Sequence, residues 1–132
     1  MTTEVDPKHV EEGKSMAWLS YLGILFLIPM FTQRQNPYTM FHVRQGIVLF
    51  VLELAGGVLA VLLAIVGIII QAVLNQTNMP FVSCCVNSGV SIITLAVYAF
   101  ALVMSIIGIV KALGGQMWTM PVLGGIAGKI KL

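Results

Sequence analysis

Charge is what this sequence has least of. Of its 132 residues 9 % are charged, seven basic and five acidic, while 58 % are hydrophobic. A soluble domain of this length needs far more polar surface than that, so a water-soluble fold is excluded. Cysteine is scarce too: Cys84 and Cys85 are the two present, and a bond between adjacent residues would be strained. That excludes a disulfide framework and leaves them as small apolar fillers, or as an intermolecular link if their side of the membrane is oxidising. The two histidines, His9 and His42, lie far apart without a nearby second ligand, so no metal site is expected. The sequence has no phosphate-cradling glycine loop, nucleophile elbow or dinucleotide fingerprint, and the eight methionines form no sustained stripe. No cofactor, nucleic-acid partner or enzymatic activity is therefore expected.

What is abundant is apolar sequence in long runs. They occupy Met16 to Phe31, Gly46 to Ile70 and Cys84 or Val86 to Val110. Each approaches or exceeds the roughly 17 to 25 residues that cross a bilayer as helix. Continuous runs without alternating polarity exclude a closed barrel. The expected fold is all-α, a polytopic helical membrane protein with three transmembrane helices (about 16–32, 46–72 and 85–111) and a short C-terminal helix. A flexible polar N-terminus (1–14) precedes a single membrane domain (15–132). Glu4, Asp6, Glu11 and Glu12 offset Lys8 and Lys14 before the first run, and "FTQRQNP" after it lacks a small-residue cleavage pattern, so that run reads as a mature helix rather than a signal. Pro29 is expected to end or kink it. Trp18 and Tyr21 suit an interface near its start.

With three spans, the N-terminus and second loop share one side and hold only Lys8 and Lys14. The other side collects Arg34, Arg44, Lys111, Lys129 and Lys131. The excess of positive charge predicts a cytoplasmic-membrane protein with its N-terminus outside and its tail in the cytoplasm, where the basic cluster favours anionic lipids.

The stretch "NPYTMFHVRQGIVLF" (36–50) enters the second helix from that cytoplasmic surface. Asn36 and Pro37 break the preceding chain, and Thr39 is placed to cap the next helix. At 100° per residue His42, Gln45, Leu49 and Glu53 fall on one face, with Arg44 roughly opposite and free to reach phosphates. These residues either hold the helix at its depth or form a docking or gating surface. Glu53 lies deep enough that a charge there costs a few kcal/mol unless it is paired, hydrated or protonated. Intramembrane carboxylates of this kind are either functional or structural and neutral.

Below Glu53, Gly56, Gly57, Ala60, Ala64, Gly67 and Gln71 continue the stripe at spacings of three and four. Small residues at this spacing let helices associate in lipid. On the third run Asn87, Ser91, Thr94, Tyr98 and Ser105 fall within roughly 60° of arc. An antiparallel hairpin about "NQTNMPF" would set Gln71 against Asn87 and Ser91, Ala64 against Thr94, and Glu53 against Ser105. The result is either interhelical glue or a polar seam lining a path or an oligomer axis.

In the tail, Gly114 and Gly115 suit a left-handed turn after the third helix, and Pro121 suits the first turn of a short helix over about 121–131. Val122, Leu123, Ile126 and Ile130 give that helix an apolar side, with Trp118, Lys129 and Lys131 as interface anchors, so it is expected to lie on the membrane or re-enter it.

Three segments, "SYLGILFLIP", "FHVRQGIVLF" and "IIGIVKALGGQMWTMPVLGGIAGKI", together resemble a family of small prokaryotic membrane proteins of unknown function that includes the magnetosome protein MamF. The family is distantly related to the twenty-kilodalton component of the chloroplast inner-envelope import translocon. The resemblance spans about residues 15 to 130 and rests on Tyr21-Leu22-Gly23, on Phe41, His42 and Gln45, and on Gly108 through Lys111 and Ala112 to Pro121. It implies a multi-pass helical protein with little chemistry of its own. Two functions remain open. One is a non-enzymatic subunit that self-associates or supports a larger membrane assembly. The other is an oligomeric translocon-like or small-solute pathway lined by Glu53 and the polar stripe.

Overall fold

The computed structural model describes residues 5–76 and 80–130, the side chains of 75, 76, 80 and 83 aside. All regular structure among the described residues is helical: α1 (Pro7–Ala17), two 3₁₀ turns (Trp18–Tyr21 and Gly23–Phe26), α2 (Leu27–Thr32), α3 (Pro37–Gln76), α4 (Pro80–Leu113) and α5 (Gly124–Ala127). The chain divides into two compact units. Unit 1 comprises Met1–Leu52 with Leu102–Leu132, and unit 2 comprises Glu53–Ala101.

In unit 1, α1 begins inside the segment expected to be flexible. Asp6 caps it by accepting from the Lys8 amide at 3.0 Å, and Pro7 opens its first turn, where a missing N–H costs nothing. Gly13 and Ala17 are its buried face.

The first expected span is not a continuous helix. Leu22 leaves helical geometry (φ −103°, ψ 57°) and Gly23 takes φ +57°, a left-handed conformation that interrupts the run. Gly23–Thr32 is apolar but only ten residues long, about 15 Å as α-helix and half a hydrocarbon core. Among the described residues two helices, Pro37–Leu74 and Cys84–Leu113, are long and apolar enough to cross, rather than three. Pro29 does not end α2 either. It lies in the first turn, where its N–H would have had no helical partner, and its carbonyl accepts from Gln33 at 3.0 Å.

Helix α3 starts well before its apolar run and its 40 residues reach about 60 Å. Asn36, not Thr39, caps it: Asn36 Oδ1 accepts from the amides of Tyr38 (3.0 Å) and Thr39 (3.2 Å). The Thr39 hydroxyl points back to Gln33 Oε1 instead, at 2.6 Å. At its far end α4 closes as expected, with Gly115 at φ +71° and the Gln116 amide bonded to the Lys111 carbonyl at 3.0 Å, a Schellman turn.

Beyond it the expected helix over 121–131 shrinks to the four residues of α5. Val122 takes φ +68°, which no helix tolerates, so Pro121 cannot open one. Leu123 and Ala127 are buried, while Val122 and Ile126 face outward. Lys129 is exposed, and Lys131 lies outside the described residues.

Unit 1 also brings together the chain segments near the two termini. The Asn36 side chain donates to the His9 carbonyl at 2.8 Å, and Gly115 packs against Lys14 and Val10 of α1. The N-terminal helix, the α2–α3 turn and the segment after α4 therefore pack together within unit 1.

Unit 2 contains only the inner stretches of α3 and α4. Its surface is apolar: Val58, Leu62, Ile65, Ile69, Ile92 and Leu95 are all exposed. None of the most apolar window of α3 is buried, as expected for a helix whose solvent is lipid rather than a protein core. The predicted turn at "NQTNMPF" lies largely outside the described residues.

Candidate functional site

The stretch around His42 organises unit 1. His42 and Gln45 are fully buried, one helical turn apart on the inward face of α3, as the 100° periodicity predicts. His42 Nδ1 lies 2.8 Å from the Tyr21 hydroxyl. Burial, with Tyr38 adding to it, pushes the Tyr21 hydroxyl well above its ordinary pKa, so Tyr21 stays a neutral phenol, and the imidazole tautomer sets which of the two donates. The ring's other nitrogen is Nε2. It faces the Gln116 main chain without a well-formed hydrogen bond. Tyr38 meets the imidazole edge-on at 4.8 Å between centroids and donates its hydroxyl to the Ala112 carbonyl at 2.6 Å. His42 and Tyr38 together thus join the first 3₁₀ turn, the start of α3 and the end of α4.

Gln45 does the same for the tail. Its Nε2 donates to the Trp118 carbonyl at 3.0 Å and its Oε1 accepts from the Met120 amide at 3.1 Å. A single side-chain amide satisfies one donor and one acceptor of irregular backbone that is otherwise short of partners.

Two glycines allow the close approach. A Cβ on Gly46 would coincide with the Ser20 carbonyl, and one on Gly108 would lie 2.5 Å from the Tyr21 ring. Ser105, expected on the polar seam, belongs here instead: its buried hydroxyl donates to the Tyr21 carbonyl at 3.1 Å. That geometry removes it as the partner of Glu53.

Arg44 is half-buried, with Nε withdrawn from solvent and unpartnered among the described residues, so it is less free to snorkel than its position on the helical wheel implies. Trp18, half-buried, donates its indole N–H to the Ser15 carbonyl at 2.9 Å. Trp118 contributes its carbonyl to Gln45 and is also half-buried.

In unit 2 the small and polar stripes do face one another, but they leave a gap. A cleft of about 430 Å³ is lined from α3 by Ala60, Ala64 and Gly67 and from α4 by Asn87, Ser91, Thr94 and Tyr98. The expected interhelical bonds from the hydroxyls are replaced by bonds within α4. Ser91 donates to the Asn87 carbonyl and Thr94 to the Val90 carbonyl, each at 2.9 Å. Short hydroxyl side chains satisfy themselves on the preceding turn at no cost in helix approach. Gly57 lies under the Tyr98 hydroxyl, 3.1 Å from where a Cβ would sit, and Gly56 under Val97, about one turn from the expected register. Gln71 is exposed, and Glu53 is half-buried with no ion pair or side-chain hydrogen bond among the described residues.

Tyr21 was expected as an interface aromatic, whereas it is the centre of the buried knot. Gly46 and Gly108, each inside an apolar helix, are the signal that could have revealed it, since an isolated glycine there marks a close approach. No group of three or more metal-ligating side chains occurs among the described residues.

The sequence profile of the magnetosome magnetite crystal formation protein family, MamF/MmsF, matches residues 9–127. The chain belongs to this family. The match takes in the whole Tyr21–His42–Gln45 knot and both long helices. Among curated MamF/MmsF proteins, the magnetosome protein MamF of Magnetospirillum gryphiswaldense is 34 % identical over 87 residues, covering 52 % of this chain and 77 % of that protein. The magnetosome protein MmsF of Paramagnetospirillum magneticum is 27 % identical over 115 residues, covering 87 % and 85 %. No solved structure matches the chain.

Proposed function

We propose that this MamF/MmsF protein is a non-enzymatic, self-associating or accessory subunit of the magnetosome membrane that acts in magnetite crystal formation, with both termini on the cytoplasmic side. The observation that carries the reading is the division of the chain. Along their inner stretches the two long helices present exposed apolar side chains, and residues 45–110 contain no lysine or arginine. All seven basic residues lie in the parts of the sequence that unit 1 comprises. Two spans return the chain to its starting side, and the positive-inside bias makes that side cytoplasmic.

Self-association is supported by the open cleft in unit 2. Its α3 wall is mostly small, Ala60, Ala64 and Gly67 beside Leu63, and small residues admit a second helix at short range, where lipid association relies on van der Waals contact. The side chains of Tyr38, Gln45 and Ser105 are engaged in holding chain segments of unit 1 together, an assignment to structure rather than to turnover of a substrate.

The test is to express the chain in Paramagnetospirillum magneticum lacking MmsF and to measure crystal dimensions by electron microscopy. The expected result is a fluorescent fusion aligned with the magnetosome chain and recovery of the parental crystal size distribution. A fusion that reaches the magnetosome membrane and leaves the crystals unchanged would contradict the proposed role.

A further inference from the structure

Arg34, in the turn between α2 and α3, borders two cavities at once. The larger, about 430 Å³, is polar and includes His9 and Glu12 of α1 among its walls. The smaller, about 180 Å³, is lined besides Arg34 by Met30, Phe31 and Met40. A more polar chamber and an apolar one therefore share two residues, Arg34 and Phe31.

The charges in the polar chamber are unspent. Arg34 is exposed and makes no hydrogen bond or ion pair among the described residues. Glu12 engages Ser15 and Gln33 through its main-chain carbonyl, at 3.0 Å each, and its carboxylate has no partner among the described residues. A simple anion would meet Arg34 but be opposed by Glu12, and a simple cation would meet the reverse. A zwitterion satisfies both.

The apolar side identifies what carries that zwitterion. Ile24, Ile28 and Phe31 are exposed to 61 %, 43 % and 71 %, apolar surface that water does not favour and a bilayer boundary does. We propose that this is a binding site for a phosphoethanolamine lipid headgroup. The phosphate lies on Arg34, whose planar fork matches it, the ammonium donates to Glu12, and the proximal acyl chain rests on Phe31, Met30 and Met40. Phosphocholine lacks the N–H donors that Glu12 would accept, and phosphoglycerol lacks the cation altogether. The inference rests on the membrane setting of the chain and goes beyond a role in crystal formation.

The experiment is native mass spectrometry of the detergent-purified full chain offered an equimolar mixture of phosphatidylethanolamine, phosphatidylcholine and phosphatidylglycerol. Wild type is expected to retain phosphatidylethanolamine about tenfold over each of the others, the size of one charge-assisted hydrogen bond. Arg34→Ala should abolish that retention. Glu12→Gln should erase the preference over phosphatidylglycerol while binding of phosphorylated lipid persists. Both side chains are exposed and unbonded, so neither change removes a contact that holds unit 1 together. Equal retention of the three lipids by wild type, or an unchanged lipid ratio in Glu12→Gln, would overturn the proposal.

Discussion

Gly46→Val is expected to leave little folded protein. Helix α3 passes the Ser20 carbonyl with no side chain between them, and a Cβ at position 46 would occupy the oxygen's place. The obstacle is backbone rather than a rotatable side chain, so relief requires moving the Trp18–Tyr21 turn. That movement strains the Tyr21–His42 and Ser105–Tyr21 bonds, which depend on the same turn. Overpacking a core costs about 1–3 kcal/mol where side chains can adjust, and a collision with main chain belongs at or above the upper end. Against a total stability of about 5–15 kcal/mol that is a large fraction. Monodisperse yield in detergent and resistance to limited proteolysis measure it. Gly89→Ala, where an added Cβ meets nothing within 4 Å, is the control and should behave as wild type.

Gln45→Leu should release the tail while leaving the long helices intact. Leucine fills similar space but abandons the Trp118 carbonyl and the Met120 amide together. Each buried backbone group left without a partner costs about 1–3 kcal/mol. Hydrogen exchange at the Met120 amide is expected to quicken at least about tenfold, with no comparable change in the centre of α3. Gln45→Glu keeps the acceptor for Met120 and loses the donor to Trp118, so its exchange rate should fall between the two. An unaltered Met120 amide in Gln45→Leu would show that the tail is held by Leu123 and Ala127 burial alone.

The helical class, the two long membrane segments and the shared face of His42 and Gln45 were legible in the sequence because each follows from composition or from the 100° period; the burial of that face was not. The family was legible too, in the motifs around Tyr21, His42 and Lys111. The failure at the first apolar run has a plain cause. Hydropathy counts side chains, whereas Gly23 breaks that run through its backbone, a choice that 23 alone does not announce in a segment otherwise suited to helix. Once that span was counted, the termini were assigned to opposite sides and the basic residues were divided between them. The reading of Ser105 failed for a related reason: periodicity places residues on a face but not in depth. Ser91, Thr94 and Ser105 share an arc, yet only Ser105 reaches the level of Tyr21. The stripe at Gly56–Gly67 was correctly placed opposite polar residues of α4, while the contact between them proved open rather than closed.

The two-span arrangement with cytoplasmic termini is tested most directly by single-cysteine accessibility. In a Cys84→Ser, Cys85→Ser background expressed in a bacterial inner membrane, cysteine is introduced in turn at Ser15, Thr77 and Lys129. Spheroplasts are then treated with a membrane-impermeant maleimide before and after lysis. The account predicts labelling of the Thr77→Cys protein in intact spheroplasts, and of the Ser15→Cys and Lys129→Cys proteins only after lysis. Labelling of Ser15→Cys in intact spheroplasts, with Lys129→Cys protected until lysis, would contradict it and restore a third span.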